Sequence, residues 1–187
     1  MPFVSTRHIL RRVEAALRHD LAGGYSPSTS EQEAADADVN SGLEPLTNYA
    51  VRVQRYVLEP IAAGDLYATA GDTRTVVGYS FGSQTPSEPR TGSGKASRRT
   101  MPVEVSIIRA VAGRADVLGG ESGYDIDDMM DHVLRCFTSG RRQAPDFGAE
   151  NMSVEPIRRL EGGTPDALWH GRTVVVHFTR SIRDLLT

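Results

Sequence analysis

Residues 101–137 read MPVEVSIIRAVAGRADVLGGESGYDIDDMMDHVLRCF, and this stretch decides the fold class. Val103, Val105 and Ile107 alternate with Pro102, Glu104 and Ser106, the period-two pattern of a strand over Met101–Ala112 with one apolar face. Gly113 and the pair Gly119-Gly120 interrupt it. A helix follows. Asp125 is placed to cap it, and Asp127 and Asp128 suit the positive end of its dipole. Ile126, Met129, Met130, Val133, Leu134 and Phe137 then recur at helical spacing until Gly140. A one-sided strand followed by a one-sided helix predicts a helix lying on a half-covered sheet.

The flanking sequence extends the same plan. Ile9, Leu10, Val13, Ala16, Leu17 and Leu21 form a narrow apolar stripe among Arg11, Arg12, Glu14 and Arg18, which predicts an N-terminal helix stopped by Gly23-Gly24. Tyr49–Leu58, Leu66–Ala70 and Arg74–Phe81 read as two or three antiparallel strands, separated by turn signals at 62–65 and 71–72. Met152–Leu160 and Arg172–Arg180 read as two more, joined by a connection containing Gly and Pro. The chain is therefore expected to be a single α+β domain over 1–187: a mainly antiparallel sheet with two helices packed on one face and two long mobile loops.

Those two loops differ in charge. Residues 25–48 hold Glu31, Glu33, Asp36, Asp38 and Glu44 with no base among them, and too little apolar surface to offset the entropy of ordering. Residues 82–100 hold Arg90, Lys95, Arg98 and Arg99 against Glu88 alone. The two loops are expected to be insertions. Arg90, Lys95, Arg98, Arg99, Glu31, Glu33, Asp36 and Asp38 are the candidate interface residues, because opposite charges on separate loops suit contacts between subunits or with a partner.

Composition narrows the classes further. The chain has 187 residues, 39% hydrophobic and 24% charged, with a formal charge of −3. This balance exerts no overall pull toward nucleic acid or an anionic membrane. No apolar run approaches the ~20 residues that span a bilayer, and Met1–His8 lacks the pattern of a secretory leader, so an intracellular protein is expected. Cys136 is the only cysteine, which excludes a disulfide framework and a multi-cysteine metal site.

The local motifs yield no catalytic constellation. Asp127, Asp128 and Asp131 match the DDxxD pattern of isoprenoid synthases, but those enzymes are large and all-helical, so the acids are read as the first turn of a capped helix. Gly92-Ser93-Gly94-Lys95 lacks the first glycine and the hydroxyl of a phosphate-binding loop. His132 and Cys136 are one helical turn apart, yet two ligands are too few for a metal, and Cys136 falls on the apolar side where a buried thiol is ordinary. Tyr49, Tyr56, Tyr67, Tyr79 and Phe81 lie near Arg52, Arg55 and Arg74, a mixture that can stack single-stranded nucleic acid but more often forms cross-strand pairs.

The layout carries more. A Leu/Ile/Arg-rich first helix, strands with variable loops, MPVEVSI (101–107), a glycine break, the helix Tyr124–Phe137 and GRTVVVHFTR (171–180) together resemble the tail terminator (tail completion) and related neck proteins of tailed bacteriophages. The resemblance covers most of the chain outside the two linkers and lies in order and spacing. It implies a non-enzymatic structural subunit of the virion, assembled in the host cytoplasm, that closes into a homo-oligomeric ring, usually a hexamer. Such a ring caps the tail tube and joins it to the head-side connector. The resemblance brings no catalytic residue, cofactor, metal, membrane or specific nucleic acid. A head–tail adaptor or head-completion protein is the nearest alternative. A small magnesium enzyme built on Asp127, Asp128 and Asp131, or a single-stranded nucleic-acid module built on Arg52, Arg55 and Tyr56, remains a reading from another class.

Overall fold

The computed structural model describes residues 6–22, 26–49, 51–55, 75–81, 96–111, 121–138, 140–164 and 167–183. The expected strand Leu66–Ala70, most of the basic segment (82–95) and the glycine breaks at 113 and 119–120 lie outside them.

The alternation read at Met101–Ala112 belongs to a longer strand, β3 (Ala96–Val111), which pairs antiparallel along its whole length with β6 (Ala167–Arg183). On the far side of β3 lies β2 (Thr75–Phe81), antiparallel, and beyond it β1 (Val51–Arg55). On the far side of β6 lie β4 (Asn151–Val154) and β5 (Arg158–Thr164). The result is an α+β chain built on a mostly antiparallel six-stranded sheet. One pairing departs from expectation. β1 runs parallel to β2, and the residues between them in sequence, 56–74, are numerous enough for the crossover that a parallel pair needs.

One face of this sheet carries the core. Val77, Tyr79, Val103, Val105, Ile107, Val174, Val176 and Phe178 meet Ile9, Val13, Ala16 and Leu17 of α1 (Thr6–Leu21) and Ile126, Met130, Val133 and Cys136 of α3 (Glu121–Cys136). Each large side chain taken from water here contributes roughly 1.5–3 kcal/mol. Phe137, Phe147 and Phe178 close one end, with ring centroids 5.2–6.4 Å apart. Phe147 belongs to a short 3-10 turn, Ala144–Phe147. On the opposite face Val76, Ile108 and Val175 are also buried, outside that cluster, and the Ser106 hydroxyl donates to Thr173 Oγ1 at 2.8 Å.

Residues 25–48 correct the expectation of a mobile acidic loop, for Ser30–Asn40 form a helix, α2. Thr29 caps it by accepting from the Gln32 N–H, and Ala35 and Val39 are buried. The acids that lacked local counter-charges find them on α1: Glu31 pairs with Arg11 and Arg7, and Asp38 with Arg12. The basic segment is likewise shorter than expected. Residues 96–100 are strand, since β6 runs on to Arg183 and supplies their ladder partners.

The C-terminal strands show a third departure. Met152–Leu160 is not one strand, because three residues, Glu155–Ile157, stand opposite Val174 and Val175 between the Val154↔Val176 and Arg158↔Thr173 pairs. The extra residue makes a bulge, and Pro156, with no N–H to give a ladder, sits inside it. The glycines expected in a loop are in strands instead. The Trp169 indole lies over Gly162, where a Cβ would come within 2.3 Å of the ring. At Gly171 a Cβ would fall 2.1 Å from the Ile107 carbonyl oxygen, so only glycine lets β6 approach β3 this closely.

The helices are tied together by buried charge. Asp20, fully buried near the end of α1, accepts from Arg141 at 2.5 and 2.7 Å and from Arg142 at 2.5 Å, and contacts His19 Nδ1 at 2.8 Å. Arg142, equally buried, also donates to the carbonyls of Val39 and Cys136 and to Asn40 Oδ1. Asn40 in turn donates to the Ala15 carbonyl and to Asp36. Burial opposes the Asp20 charge, but the hydrogen bonds from Arg141, Arg142 and His19 outweigh it and hold the carboxyl well below the usual carboxylate range.

Asp20→Asn or Arg142→Met strands the remaining charge in the interior and is expected to cost about 3–5 kcal/mol in urea unfolding at neutral pH. A loss under about 1 kcal/mol would show that the network is dispensable. Since the folded-state pKa is depressed, the Asp20 contribution is complete above a pH of about 4 and is lost as the pH falls below it. The wild-type protein should therefore lose stability on acidification more steeply than Asp20→Asn.

Candidate functional site

The candidate interface residues fall into three groups in the structure. Arg90 and Lys95 lie outside the described residues. Glu31 and Asp38 are engaged by arginines of α1 and tie α2 to it, while Asp36 accepts from Asn40 within α2 itself. Glu33 is exposed on the same helix. The acidic half of the candidate set thus stands on a helix packed against α1, a correction to its reading as a separate charged loop.

Arg98 and Arg99 are placed differently. They sit on β3 before it reaches β2, whose last residue, Phe81, faces Val103. Their partner β6 has at this point passed β4, which begins opposite Thr179. Ala96–Arg99 and Arg180–Arg183 therefore pair only with each other among the described residues, forming a two-stranded ribbon beyond the body of the sheet. Arg99 stands opposite Arg180, Arg98 opposite Ser181, and Ala96 opposite Arg183. Four arginines and no acid occupy these two short stretches. Arg99 and Arg180 are half-buried at the ribbon's base.

Sequence reading missed Arg180 and Arg183. The signal that could have found them is the matching length of the two apolar strands, whose register carries the C-terminal arginines beside Arg98 and Arg99. A ribbon of two strands is marginal alone, and this one is anchored by its continuity with the buried pairs Met101↔Phe178 and Val103↔Val176. Its chemistry is the attraction of carboxylates or phosphates, which arginine binds with paired N–H donors.

The remaining motifs are occupied by packing. Asp125 pairs with Arg109 of β3 at 2.8 Å, and Asp127 with Arg172 of β6 at 2.7 Å. Asp125 and Asp127 thus seat the N-terminal half of α3 on the sheet, while Asp128 and Asp131 are exposed. The helix begins at Glu121, a turn earlier than the expected cap at Asp125, whose carboxylate goes to Arg109 instead. Among the described residues no group of three or more His, Cys, Asp or Glu side chains converges on a metal position. Tyr49 meets His132 edge-on with its hydroxyl 3.1 Å from Nδ1. Tyr79 is buried in the core. Of the proposed base-stacking residues, Tyr56, Tyr67 and Arg74 lie outside the described residues, and Arg55 is exposed.

Cys136 is fully buried and its thiol donates to the His132 carbonyl at 3.2 Å. Burial first, then the nearby Asp20 charge, pushes its pKa well up, the opposite of what a nucleophile needs. Among the described residues no helix is long and apolar enough to cross a membrane.

No protein-family model matches the chain, and no curated protein matches it either.

The Cys136 environment is testable directly. A water-soluble disulfide reagent should modify the native thiol only at the rate of unfolding, and at once in denaturant. Rapid labelling of the native protein would mean that the α3–α1 contact opens readily.

Proposed function

We propose that this chain is a structural subunit of a tailed-bacteriophage virion, a tail terminator or neck protein that closes into a ring on the tail tube and joins it to the head-side connector. The observation that carries this reading is the basic ribbon formed by the ends of β3 and β6. A ring made by head-to-tail contacts uses two different surfaces of each subunit. Docking onto another ring adds a third. A short arm anchored in a rigid sheet presents concentrated charge at a fixed position, which suits registering one ring upon another.

Two further features support the reading. The element order that suggested it (helix, strands, long strand, helix, long strand) is accompanied by an α+β architecture with one helix-covered face. The outer edge formed by β4 and β5 is blunted by the bulge, by Pro156 and by Arg158, Arg159 and Glu161, devices that discourage open-ended strand addition. A subunit that must stop at a closed ring benefits from such an edge.

Native mass spectrometry over a concentration series, alone and with tail-tube protein, should show one discrete closed oligomer. A chain that stays monomeric under both conditions would sink the reading. Arg98→Glu combined with Arg99→Glu should abolish docking to the tube while leaving the thermal melt within a few degrees of wild type, because both stand on the ribbon, outside the ladder that β3 makes with β2. Undiminished docking by that double variant would remove the ribbon from the interface.

A further inference from the structure

A cleft of about 500 Å³ opens between α1 and the ends of β1 and β2. Its walls come from elements distant in sequence: Arg7, Arg11 and Glu14 from one face of α1, Arg55 from β1, and Tyr79 and Phe81 from β2. The volume falls within the ~300–1,000 Å³ of small-molecule sites.

The charges in it do not cancel. Among the described residues Glu14 is the only acid in the wall, and it is already engaged, by Arg18 at 2.9 Å and by the Tyr79 hydroxyl. Arg7 and Arg11 share one outside counter-ion, Glu31, which lies on α2 and is half-exposed. Arg55 is exposed at the end of the short edge strand β1. Three guanidinium groups therefore border one space whose base is aromatic, with Tyr79 buried and Phe81 half-buried. Holding like charges together costs energy, and β1 and α1 have no packing need for arginine at Arg7 or Arg55, whose side chains stand at the surface. An incoming anion can displace Glu31 from Arg7 at little cost, because that pair is exposed on both sides and screened by water, while Arg11 keeps Glu31 and offers its remaining N–H donors.

We infer that this cleft binds a nucleoside phosphate, with Arg7, Arg11 and Arg55 on the phosphate oxygens and the base against Phe81. Arginine matches phosphate geometry with two parallel N–H donors, and a flat heterocycle gains from an aromatic neighbour. Nothing in this arrangement supplies a nucleophile or a positioned base, so it is a binding site and not a reactive one. The assignment goes beyond the structural role proposed above and holds whether or not the chain closes into a ring.

Isothermal titration of the full chain with adenosine diphosphate tests it. Saturable binding at one site per chain is expected, with adenosine and pyrophosphate each binding at least about tenfold more weakly. Arg55→Glu and Arg7→Glu should each weaken the diphosphate by about tenfold or more, and their circular-dichroism melts should match wild type because both side chains are exposed. Absence of saturable binding overturns the inference. So does binding that both variants leave unchanged, or pyrophosphate binding as tight as the nucleotide, which would take the base out of the site.

Discussion

The carboxylate of Asp20 is removed from water, and an ion so placed is tolerable only where its partners are complete. They come from residues 121 and 122 positions away: Arg141 closes on it from the side, and Arg142 from within. The same Arg142 reaches the Val39 and Cys136 carbonyls and Asn40, so one guanidinium bridges the ends of α1, α2 and α3. The relative placing of the helices over the sheet depends on this cluster. A hydrophobic contact would allow them to slide, whereas charge-assisted hydrogen bonds at 2.5–2.9 Å define direction as well as distance.

From that constraint the rest of the helical layer follows. With the end of α2 held through Asn40, its acidic face is brought against α1, and Glu31 and Asp38 meet arginines that in sequence serve only as the polar face of another helix. The seating of α3 uses the same device at the other end, through Asp125 and Asp127. Arginine therefore does most of the joining between elements. Arginine also gathers in two further places, around the α1–β2 cleft and along the β3–β6 ribbon.

Much of the architecture was legible locally. The α+β class, the strand through Val103 and Val105, the first helix and the helix containing Met130 all follow from apolar spacing, and the buried residues are those the stripes name. Residues 30–40 failed that reading because the helix is short and buries only Ala35, Val39 and Asn40, so it carries almost no stripe. Strand direction at β1 failed because periodicity reports which residues share a face and not which way a strand runs beside its neighbour. The split of β4 from β5 was written in Pro156, and the strand glycines were misread because their reason, the Trp169 ring and the Ile107 carbonyl, lies on a neighbouring strand. Of the candidate interface, Arg98 and Arg99 were visible as charges, but their company with Arg180 and Arg183 required the ladder.

By itself, then, the sequence determined which segments are apolar on one side and hence which faces must be covered, because burial of a stripe is dictated by residues within a few positions of one another. It also determined the inertness of Cys136 as a small thiol on a buried face. Only the tertiary structure decided which charges meet. Asp20 with Arg142, Glu31 with Arg11, and the arginines gathered at the cleft and on the ribbon are pairings between distant positions. A charge acts on whatever lies within a few ångströms of it, and the fold, not the order of residues, sets that distance.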